Sequence, residues 1–481
     1  MTLPSLTELR GLLRPFGQDH LLRWWEELSL EEREQFSQEI QSLDLQLVCS
    51  LYDANDQAPH PADNTPEHRA RAAQPPQQVV RLGDSDEHRV AAEEARRVGT
   101  HELQAGHVAA ILVAGGQGTR LGFAHPKGMF PIGPVSEHSL FRLAAEQLVA
   151  RQRRHATRIP YYIMTSRETH TETVEYFEQH AFFGLDPQDV QFFAQASLPA
   201  VDATTGQILL QDRHRLCLSP DGHGGLLQAL TAADVWQDLR NRGIEHLFYH
   251  QVDNPLVRIC DPEFLGFHVL NSSQASTKVV AKRDPRERMG VVVRLGNQTT
   301  IIEYSDLPEP LADRRDPQGQ SVFWAGNTAV HVFDRGFLEH IAADPQRLPF
   351  HRALKKVPYL AADGQRMHAG DLAEPNAVKF ERFIFDVLAQ AETALVVEAD
   401  RQREFGPVKN ADGDDSPATA RAALLARDAA WIRSTGCQLL DDAEVEISPL
   451  YALEAADMAG QLFPGMQLGG RLYLNAPLET D

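Results

Sequence analysis

Apolar residues recur at helical spacing through the first 52 residues. The groups are Leu6, Leu9 and Leu13, then Leu21, Leu22, Trp25 and Leu28, then Phe36, Ile40, Leu43 and Leu47. Ser5 with Glu8 and Ser29 with Glu32 have the spacing of a capping box, which marks the start of a helix. The pattern predicts helices whose apolar stripe packs against the rest of the protein, with membrane-surface or partner binding as the alternative. Residues 53–88, rich in proline and polar side chains, predict a connector.

The pattern changes after His107. Short β-rich runs at 108–114, 161–166 and 246–252 alternate with helix-like stretches at 139–154 and 225–241. This alternation predicts an α/β fold, with a mainly parallel sheet and helices on both faces. Residues 290–305 predict a hairpin that turns at Gly296-Asn297. The segment after residue 396 predicts a long alanine-rich helix followed by short, mixed or β-rich pieces.

Length and composition refine this picture. The 481 residues favour two to four domains, and we place them at 1–100 (helical segment and linker), 101–395 (catalytic domain) and 396–481 (small mixed α/β domain). The net charge of -21 argues against a nucleic-acid binder, because affinity for duplexes rests on cations, but it leaves room for one basic phosphate pocket. No pattern indicates an oligomeric state.

Four cysteines, at positions 49, 217, 260 and 437, are widely spaced and form no CxxC pair. This spacing argues against a zinc knuckle or a disulfide framework and favours reduced thiols. The sequence has no signal-peptide pattern and no apolar run near the roughly 18 residues of a membrane span. We therefore expect a soluble, cytoplasmic protein without a membrane partner.

The stretch LVAGGQGTRLGFAHPKG, residues 112–128, follows the first predicted strand directly. Glycines at this place let backbone N–H groups approach phosphate oxygens, and Arg120 and Lys127 add positive charge suited to a polyphosphate. The spacing GxGxxxG fits neither the dinucleotide fingerprint GxGxxG nor the P-loop GxxxxGK[ST], which argues against an oxidoreductase. An ordinary glycine turn with solvated cations is the alternative.

AGGQGTRLG followed by PKG resembles the signature of the eukaryotic-type UTP:sugar-1-phosphate uridylyltransferases, especially their UDP-N-acetylhexosamine branch. Further stretches resemble the family in the same order between about 105 and 430: FFAQASLPA, SPDGHGGLLQAL, HQVDNPLVRICDPEFLGF, KVVAKRDPRERMGVVVR, IIEYSDL, FWAGNTAVHVF, LPFHRALKKVPY, KFERFIFDV and EFGPVKNADGDDSPATAR. The resemblance implies a Rossmann-like nucleotidyltransferase fold (GT-A-like) with a mixed sheet.

The resemblance also implies a reaction. A sugar 1-phosphate attacks the α-phosphorus of UTP, and pyrophosphate leaves; such transfers need positioning and charge neutralisation more than a covalent nucleophile. Arg120 and Lys127 are the expected triphosphate cations, and Lys409 matches a family lysine near the phosphates. The resemblance implies Mg²⁺ as cofactor, with Asp253 as its ligand. For Lys409 the alternative is a surface lysine, and for Asp253 it is a helix cap.

The expected uridine contacts come from three segments. Ala114, Gly115 and Gly116 supply backbone groups, and Gln195 matches the family glutamine that reads the base. Gly222 leaves space for the base or ribose, and His223 stands beside it. A solvent-facing amide is the alternative for Gln195, and a loop donor is the alternative for His223.

The expected sugar contacts are Gly290, Glu303 and Asn327, with Asn254 contacting ribose or holding its loop. Carboxylate and amide groups bind vicinal hydroxyls, and Gly290 leaves space beside the ring. Phe380 and Phe383, at helical spacing, are interpreted as core residues rather than substrate-stacking ones.

His223 departs from the PDGNGG pattern usual in the N-acetylhexosamine branch, and a histidine there is similar to the GHG of UDP-glucose pyrophosphorylases. We expect synthesis of UDP-N-acetylglucosamine. The alternatives are glucose 1-phosphate or several sugar 1-phosphates as substrate, and, more distantly, a non-catalytic sugar-nucleotide sensor. Retention of Arg120, Lys127, Asp253 and Lys409 together argues against the sensor.

Overall fold

The computed structural model describes residues 4–57, 65–81 and 85–475. The chain divides into two compact units. The N-terminal unit contains Met1–Asn64, Gln195–Leu226 and Gln346–Ile384, and the sheet unit contains Thr65–Ala194, Leu227–Pro345 and Phe385–Asp481. The domain boundaries expected near residues 100 and 395 stay predictions.

The helices lie throughout the chain. They are α1 (Leu6–Leu13), α2 (Leu30–Gln41), α3 (Leu45–Gln57), α4 (Pro66–Ala72), α5 (Asp86–Gln104), α6 (Leu140–His155), α7 (His170–Gln179), α8 (Leu226–Ala232), α9 (Val235–Asn241), α10 (Pro262–Leu270), α11 (Glu309–Ala312), α12 (Arg335–Ala342), α13 (Arg401–Glu404) and α14 (Pro417–Ser434). Among the described residues, no helix combines the length and the apolar character needed to cross a bilayer.

The strands are mostly short. They are β1 (Val79–Val80), β2 (Val108–Val113), β3 (Tyr161–Thr165), β4 (Val190–Ala194), β5 (Ser197–Pro199), β6 (Val201–Asp202), β7 (Leu210–Asp212), β8 (Arg215–Leu216), β9 (Leu218–Pro220), β10 (His246–Gln251), β11 (Ala275–Ala281), β12 (Val291–Leu295), β13 (Gln298–Ile302), β14 (Ala325–Asp334), β15 (Phe350–Lys355), β16 (Tyr359–Leu360), β17 (Arg366–Met367), β18 (Ala377–Arg382), β19 (Ala394–Glu398), β20 (Gln438–Leu439), β21 (Glu444–Ile447), β22 (Gln467–Leu468) and β23 (Arg471–Leu474).

The N-terminal unit packs the first helices onto a small antiparallel sheet, β15-β18-β6. Both predicted capping boxes are present, at the starts of α1 and α2. The apolar stripe is buried in one core with residues of the later segments: Leu9, Leu13, Phe36, Ile40, Val201 and Phe380. The prediction that this stripe packs inside the protein is confirmed, and so is the core interpretation of Phe380.

The large sheet of the sheet unit runs in the order β1-β19-β11-β14-β10-β2-β3-β4, and β12 and β13 pair beside β14. The pairs β10–β2, β2–β3, β3–β4, β1–β19 and β11–β19 are parallel, whereas β14 runs antiparallel to its neighbours. Strands that are buried on both faces have continuous apolar sequences, which explains why β2 and β3 could be predicted from their apolar residues. The predicted mixed α/β sheet is confirmed.

Helices cover both faces of this sheet. Tyr161 and Ile163 of β3 share a core with Phe141 of α6, on one face. On the other face the Tyr162 hydroxyl donates to Asp238 of α9 at 2.6 Å. The alternation of neighbouring β3 residues between these helices is the geometry expected of a strand in the middle of an α/β sheet.

The predicted hairpin is β12–β13, in which Leu295 pairs with Gln298 across Gly296. Gly296 has φ 58°, a backbone conformation that favours glycine. The helix-like stretch 225–241 is two helices, because Asp234 has φ 54° and stands between them as the N-cap of the second. In the C-terminal segment, α14 and the parallel pairs β20–β22 and β21–β23 confirm the predicted helix and short strands.

The prediction of a connector at 53–88 is wrong for the residues that the structure describes, and 58–64 and 82–84 lie outside them. Thr65 caps α4 and Pro66 follows at its first position, a helix-start signal. Ala70 and Ala73 are buried against Val291 and Val293, so tertiary packing stabilises a segment whose composition is polar.

Helices α5 and α10 pack with their backbones almost in contact. A Cβ on Gly266 would lie 1.7 Å from the Ala95 carbonyl oxygen, and a Cβ on Gly99 would lie 1.8 Å from the Pro262 carbonyl oxygen. Both helices also contribute to the core under β2, which includes Ala95 and Leu265. Only glycine therefore fits at these two crossings.

We expect Gly266→Ala to lower the free energy of unfolding by about 1–3 kcal/mol or more, because backbone on both sides must move apart to admit a methyl group. Urea denaturation followed by circular dichroism measures it. The control is Gly11→Ala in α1, where nothing lies within 4 Å of the new Cβ and alanine should stabilise by up to about 1 kcal/mol. Equal stability of Gly266→Ala and the wild type would contradict this packing.

Candidate active site

The predicted ligand-binding edge lies at the carboxyl ends of β2 and β10, where the strand order of the sheet reverses. From β2 the chain adds β3 and β4 on one side and later returns to place β10 on the other side of β2. Adjacent loops leave in opposite directions at such a switch point and open a crevice, in which α/β proteins bind ligands. The glycine loop follows β2, and Asp253 follows β10.

The glycine loop folds back on itself. The N–H of Gly118 donates to the carbonyl of His125 at 2.9 Å, and the N–H of Lys127 donates to the carbonyl of Gly116 at 3.0 Å. A Cβ on Gly115 would lie 3.2 Å from the Ser166 nitrogen, which follows β3, so the loop sits tightly on the next strand end. The structure thus brings Lys127 beside Gly116.

Arg120 and Lys127 supply uncompensated charge at this edge. Arg120 is exposed in a short turn, and Lys127 is half-buried. Within the described ranges neither side chain forms an ion pair, whereas Arg142, Arg158, Arg242 and Arg427 each pair with a carboxylate. These two cations give the edge beside the glycine loop a local positive charge in an otherwise acidic protein.

Asp253 and Lys409 meet at the other side of the switch point. The Asp253 carbonyl accepts from the N–H of Val408 at 2.8 Å, which places Lys409 next to the end of β10. The Lys409 ammonium lies 3.9 Å from the Asp415 carboxylate, and the Asp415 carbonyl accepts from the N–H groups of Lys409 and Asn410. Asp415 has φ 53°, an uncommon backbone conformation for a non-glycine residue.

Asp415 is a site residue that the sequence analysis missed. Burial raises the pKa of its carboxyl group, and Lys409 opposes this effect; the carboxylates of Glu287 and Asp253 raise the pKa further. The carboxylates of Asp253 and Asp415 therefore repel each other, and the Lys409 ammonium lies near Asp415. The signal in the sequence was the Asp414-Asp415-Ser416 run ahead of α14, where Ser416 is the helix cap.

The donor chemistry here fits a hard divalent cation. Among the described residues, no hydrogen bond or ion pair involves the half-buried Asp253 carboxylate. An unpaired carboxylate that repels a second one is stabilised by a cation, and Mg²⁺ prefers one or two carboxylates together with phosphate oxygens. Asp253 would hold such an ion.

Asn254 has its side chain committed to the loops around it. Its Nδ2 donates to the Glu404 carbonyl at 2.8 Å, and its Oδ1 accepts from the N–H groups of Leu256 and Gly406. Three bonds satisfy most of the capacity of an amide. They support the alternative that Asn254 holds the loop, and the sugar or ribose contact stays a prediction.

The structure brings the other three expected sugar residues together at the open end of the hairpin. The N–H of Asn327 donates to the Gly290 carbonyl at 2.8 Å. A Cβ on Gly290 would lie 2.7 Å from the Glu303 carboxylate oxygen, so the missing side chain leaves room for that carboxylate. Asn327 Oδ1 accepts from the N–H of Ala329 at 3.0 Å, which fixes its orientation.

Three expected uridine residues, Gln195, Gly222 and His223, belong to the N-terminal unit. Gln195 is buried, 8% exposed, and its side-chain amide makes no hydrogen bond to another described residue. The solvent-facing alternative for Gln195 is therefore wrong. Buried amides are normally satisfied, so this one is suited to bind a polar ligand group.

Gly222 and His223 are fixed by the segment around Arg382. Gly222 has φ 85°, and a Cβ there would lie 2.4 Å from the Arg382 carbonyl oxygen. His223 Nδ1 accepts from the N–H of Ile384 at 3.1 Å, which places the ring proton on Nε2. Burial, with a smaller contribution from His351, lowers the pKa of His223 to about 4, so the ring is neutral near pH 7.

Phe383 contacts these imidazoles. Its ring centroid lies 5.4 Å from that of His223 and 4.6 Å from that of His351. Phe383 is half-buried, unlike the fully buried Phe380. The interpretation of Phe383 as a core residue is therefore only partly right, because it supports the histidine loop instead of filling an apolar core.

Asp221, in the same loop, was also missed. It is 3% exposed, its Oδ1 has no hydrogen-bond partner among the described residues, and Gly225 leaves space for its carboxyl group. Burial raises the pKa of Asp221 to about 7, although the nearby Arg382 opposes this effect. The fold thus favours the protonated, neutral form of this side chain.

This shift predicts a pH dependence of stability. Because the pKa is higher in the folded than in the unfolded protein, the stabilising contribution of Asp221 is complete below about pH 4 and is lost as the pH rises through about 7. We expect Asp221→Asn to be about as stable as the wild type at pH 4 and more stable at pH 8.5, by on the order of 2–4 kcal/mol. Urea denaturation at both pH values measures this, and parallel curves would contradict it.

A switch-point edge with a glycine loop, and with cations and a carboxylate that are unpaired in the described part of the chain, defines an α/β protein of the nucleotide-binding class. The chain belongs to the family UDPGP, UTP–glucose-1-phosphate uridylyltransferase, whose profile matches residues 70–456. The family resemblance of the motifs is thereby confirmed.

Relatives and a solved structure extend the match to nearly the whole chain. The chain is 38% identical over 455 residues to UDP-N-acetylhexosamine pyrophosphorylase-like protein 1 of Homo sapiens, covering 91% of this chain and 87% of the relative. It is 34% identical over 462 residues to UDP-N-acetylglucosamine pyrophosphorylase of Saccharomyces cerevisiae, covering 92% and 94%. The crystal structure of uridine diphosphate N-acetylglucosamine pyrophosphorylase from Trypanosoma brucei, in complex with an inhibitor, has a TM-score of 0.80 at 26% identity, covering 97% and 99%.

Proposed function

We propose that the protein is a uridylyltransferase that forms UDP-N-acetylglucosamine and pyrophosphate from UTP and N-acetylglucosamine 1-phosphate. The observation that carries the proposal is the glycine loop at the switch point, with Arg120 and Lys127 unpaired within the described ranges and Asp253 free on the neighbouring strand end. The names of the relatives support the same activity and the same sugar.

The chemistry requires little beyond charge and alignment. A phosphate oxygen of the sugar 1-phosphate forms a bond to the α-phosphorus of UTP, while the bond to the bridging oxygen of the β-phosphate breaks. Pyrophosphate leaves with that electron pair. A phosphate monoester has its second pKa near 6, so the attacking oxygen is already deprotonated at pH 7 and no general base is needed.

The residues of the sheet unit divide this work. The N–H groups of Gly115 and Gly116, with Arg120 and Lys127, would hold the triphosphate and neutralise the leaving pyrophosphate. Lys409 would hold the phosphate of the sugar. Screening both anions lets them approach, which supplies the positioning on which phosphoryl-type transfer depends.

Mg²⁺ is part of the proposal. When bound, it would neutralise charge on the phosphoryl oxygens. Asp253 would hold it, and the nearby Asp415 carboxylate would add negative charge that favours the cation.

We also propose that the protein is located in the cytoplasm. This location is supported by its four cysteines, which are all free thiols.

The sugar preference is the part of the proposal in which His223 matters most. The relatives' names favour an N-acetylhexosamine, whereas the histidine is similar to the glucose-utilising branch. The N–H of Ile384 donates to His223 Nδ1, and this hydrogen bond fixes the orientation of the imidazole in its loop. A comparison of kcat/KM among different sugar 1-phosphates tests this preference.

The test incubates the full chain with UTP, Mg²⁺ and one sugar 1-phosphate at a time, and follows pyrophosphate release. N-acetylglucosamine, N-acetylgalactosamine, glucose and galactose 1-phosphates form the panel. We expect the highest kcat/KM with N-acetylglucosamine 1-phosphate. Turnover with glucose 1-phosphate alone would overturn the sugar assignment but keep the reaction, and nucleotide binding without pyrophosphate release would favour a sensor.

A further inference from the structure

A second cluster of polar side chains lies at the edge of the sheet opposite the glycine loop. Helix α5 ends at Gln104, and the parallel strands β2 and β10 begin beside it. The His107 carbonyl accepts from the N–H groups of Glu245 and His246, at 2.8 and 3.0 Å, so both strand starts are fixed to each other. We call Glu102, His107, Glu245 and His246 the amino-edge cluster.

Three members of the cluster point a potential ligand atom into one small space. One such atom from each of Glu102, His107 and Glu245 lies within 4.8 Å of the other two. His107 Nδ1 is 2.7 Å from Glu102 Oε2. The N–H of His107 also donates to the Glu102 carbonyl at 3.1 Å, so the last turn of α5 holds these two residues in register.

His246 adds an imidazole without a full set of partners. Its Nε2 is 3.8 Å from the same Glu102 Oε2, and its buried Nδ1 has no hydrogen-bond partner among the described residues. The side chains of His246 and Glu102 are 12% and 13% exposed, whereas Glu245 is exposed. The imidazoles of His107 and His246 therefore both lie near one oxygen of the half-buried Glu102 carboxylate, and the Glu245 carboxylate is open to solvent.

This donor set selects for a particular kind of cation. Imidazole nitrogen combined with carboxylate oxygen is typical of Zn²⁺ and similar first-row divalent ions, whereas Mg²⁺ takes oxygen ligands. Tetrahedral bonds of about 2.0–2.2 Å place ligand atoms roughly 3.3–3.5 Å apart. The His107–Glu102 contact would open by less than about 1 Å to admit the ion.

We propose that Glu102, His107 and Glu245 bind a divalent transition-metal ion such as Zn²⁺, with His246 next to the Glu102 carboxylate. The six residues of β2 separate this site from the glycine loop by about 20 Å. The bound metal joins the end of α5 to the starts of β2 and β10. Its role is structural, and it is independent of the nucleotide site.

The test measures Zn²⁺ binding to the full chain by competition with a chromophoric chelator, in millimolar Mg²⁺. We expect one site, weakened at least about tenfold in each of Glu102→Gln, His107→Gln and Glu245→Gln, since even outer-shell changes cost 10–100-fold. The control is His88→Gln, in the first turn of α5 and outside the cluster, which should bind like the wild type. Zn²⁺ should raise the Tm of the wild type and of His88→Gln by equal amounts, and that of Glu245→Gln by less.

Co²⁺ substitution adds a readout that a nonspecific site would not give. Visible absorption bands of a four- or five-coordinate Co²⁺ ion are expected for the wild type and lost in Glu102→Gln. Glu245 is exposed, so Glu245→Gln keeps the fold even where Glu102→Gln does not. Stoichiometric Zn²⁺ binding of equal strength in Glu245→Gln and the wild type, or no stoichiometric binding by the wild type, would overturn the proposal.

Discussion

Replacing Lys127 with alanine is expected to lower the rate of pyrophosphate release by at least about a hundredfold, and Arg120→Ala is expected to do the same. Each cation stands beside the glycine loop without a carboxylate partner in the described part of the chain. Loss of one preorganised donor or charge where negative charge develops costs about 10²–10³ in kcat. Steady-state assays with saturating UTP and sugar 1-phosphate measure this effect.

The distribution between kcat and KM tells how each cation acts. A loss in kcat indicates stabilisation realised only in the transition state, whereas a rise in KM alone indicates equal binding of ground and transition states. Lys356→Ala and Arg433→Ala, which remove exposed cations outside the candidate site, are the matched controls. Rates within about twofold of these controls for both site variants would remove Arg120 and Lys127 from the mechanism.

Asp253→Asn is the second change with a large expected effect. The amide keeps the shape of the side chain and removes the negative charge that would hold Mg²⁺, so turnover at fixed Mg²⁺ should fall at least about a hundredfold. A divalent cation on phosphoryl oxygens is worth several kcal/mol, which sets this scale. Part of the activity should return at higher Mg²⁺.

Metal binding itself has a separate readout. Mn²⁺ binding in the presence of UTP, followed by electron paramagnetic resonance, should weaken in Asp253→Asn and stay unchanged in Asp441→Asn, which alters an exposed carboxylate. Asp415→Asn should weaken Mn²⁺ binding to an intermediate extent. Asp415 pairs with Lys409 and acts on the Asp253 site only through its negative charge. Normal Mn²⁺ affinity in Asp253→Asn would assign its carboxylate to another role.

Local signals in the sequence were enough for much of the fold. The capping boxes at Ser5 and Ser29, the strand before the glycines and the hairpin at Gly296 each depend on a few neighbouring residues, and the structure has all of them. The apolar runs of β2 and β3 predicted a sheet covered on both faces for the same reason. The glycine loop likewise carried its own signal.

What could not be predicted depends on contacts between distant segments. Helix α5 contains Gly99, which lowers helix propensity, yet the residue is required because Pro262 lies against it. The carboxyl groups of Asp221 and Asp415 become notable only through burial, and their partners Arg382 and Asp253 are more than 150 residues away along the chain. Helix propensity and motif spacing contain no information on such pairs.

The way the N-terminal unit is assembled affects how the chain folds during synthesis. Leu9 of α1 shares its core with Phe380 of β18, and ribosomes add about 5–20 residues per second. The apolar stripe of the first helices therefore waits roughly 20 to 70 s before its last partner emerges. During that interval the nascent chain exposes the apolar side of its first helices, and such transient exposure of apolar surface favours aggregation over folding.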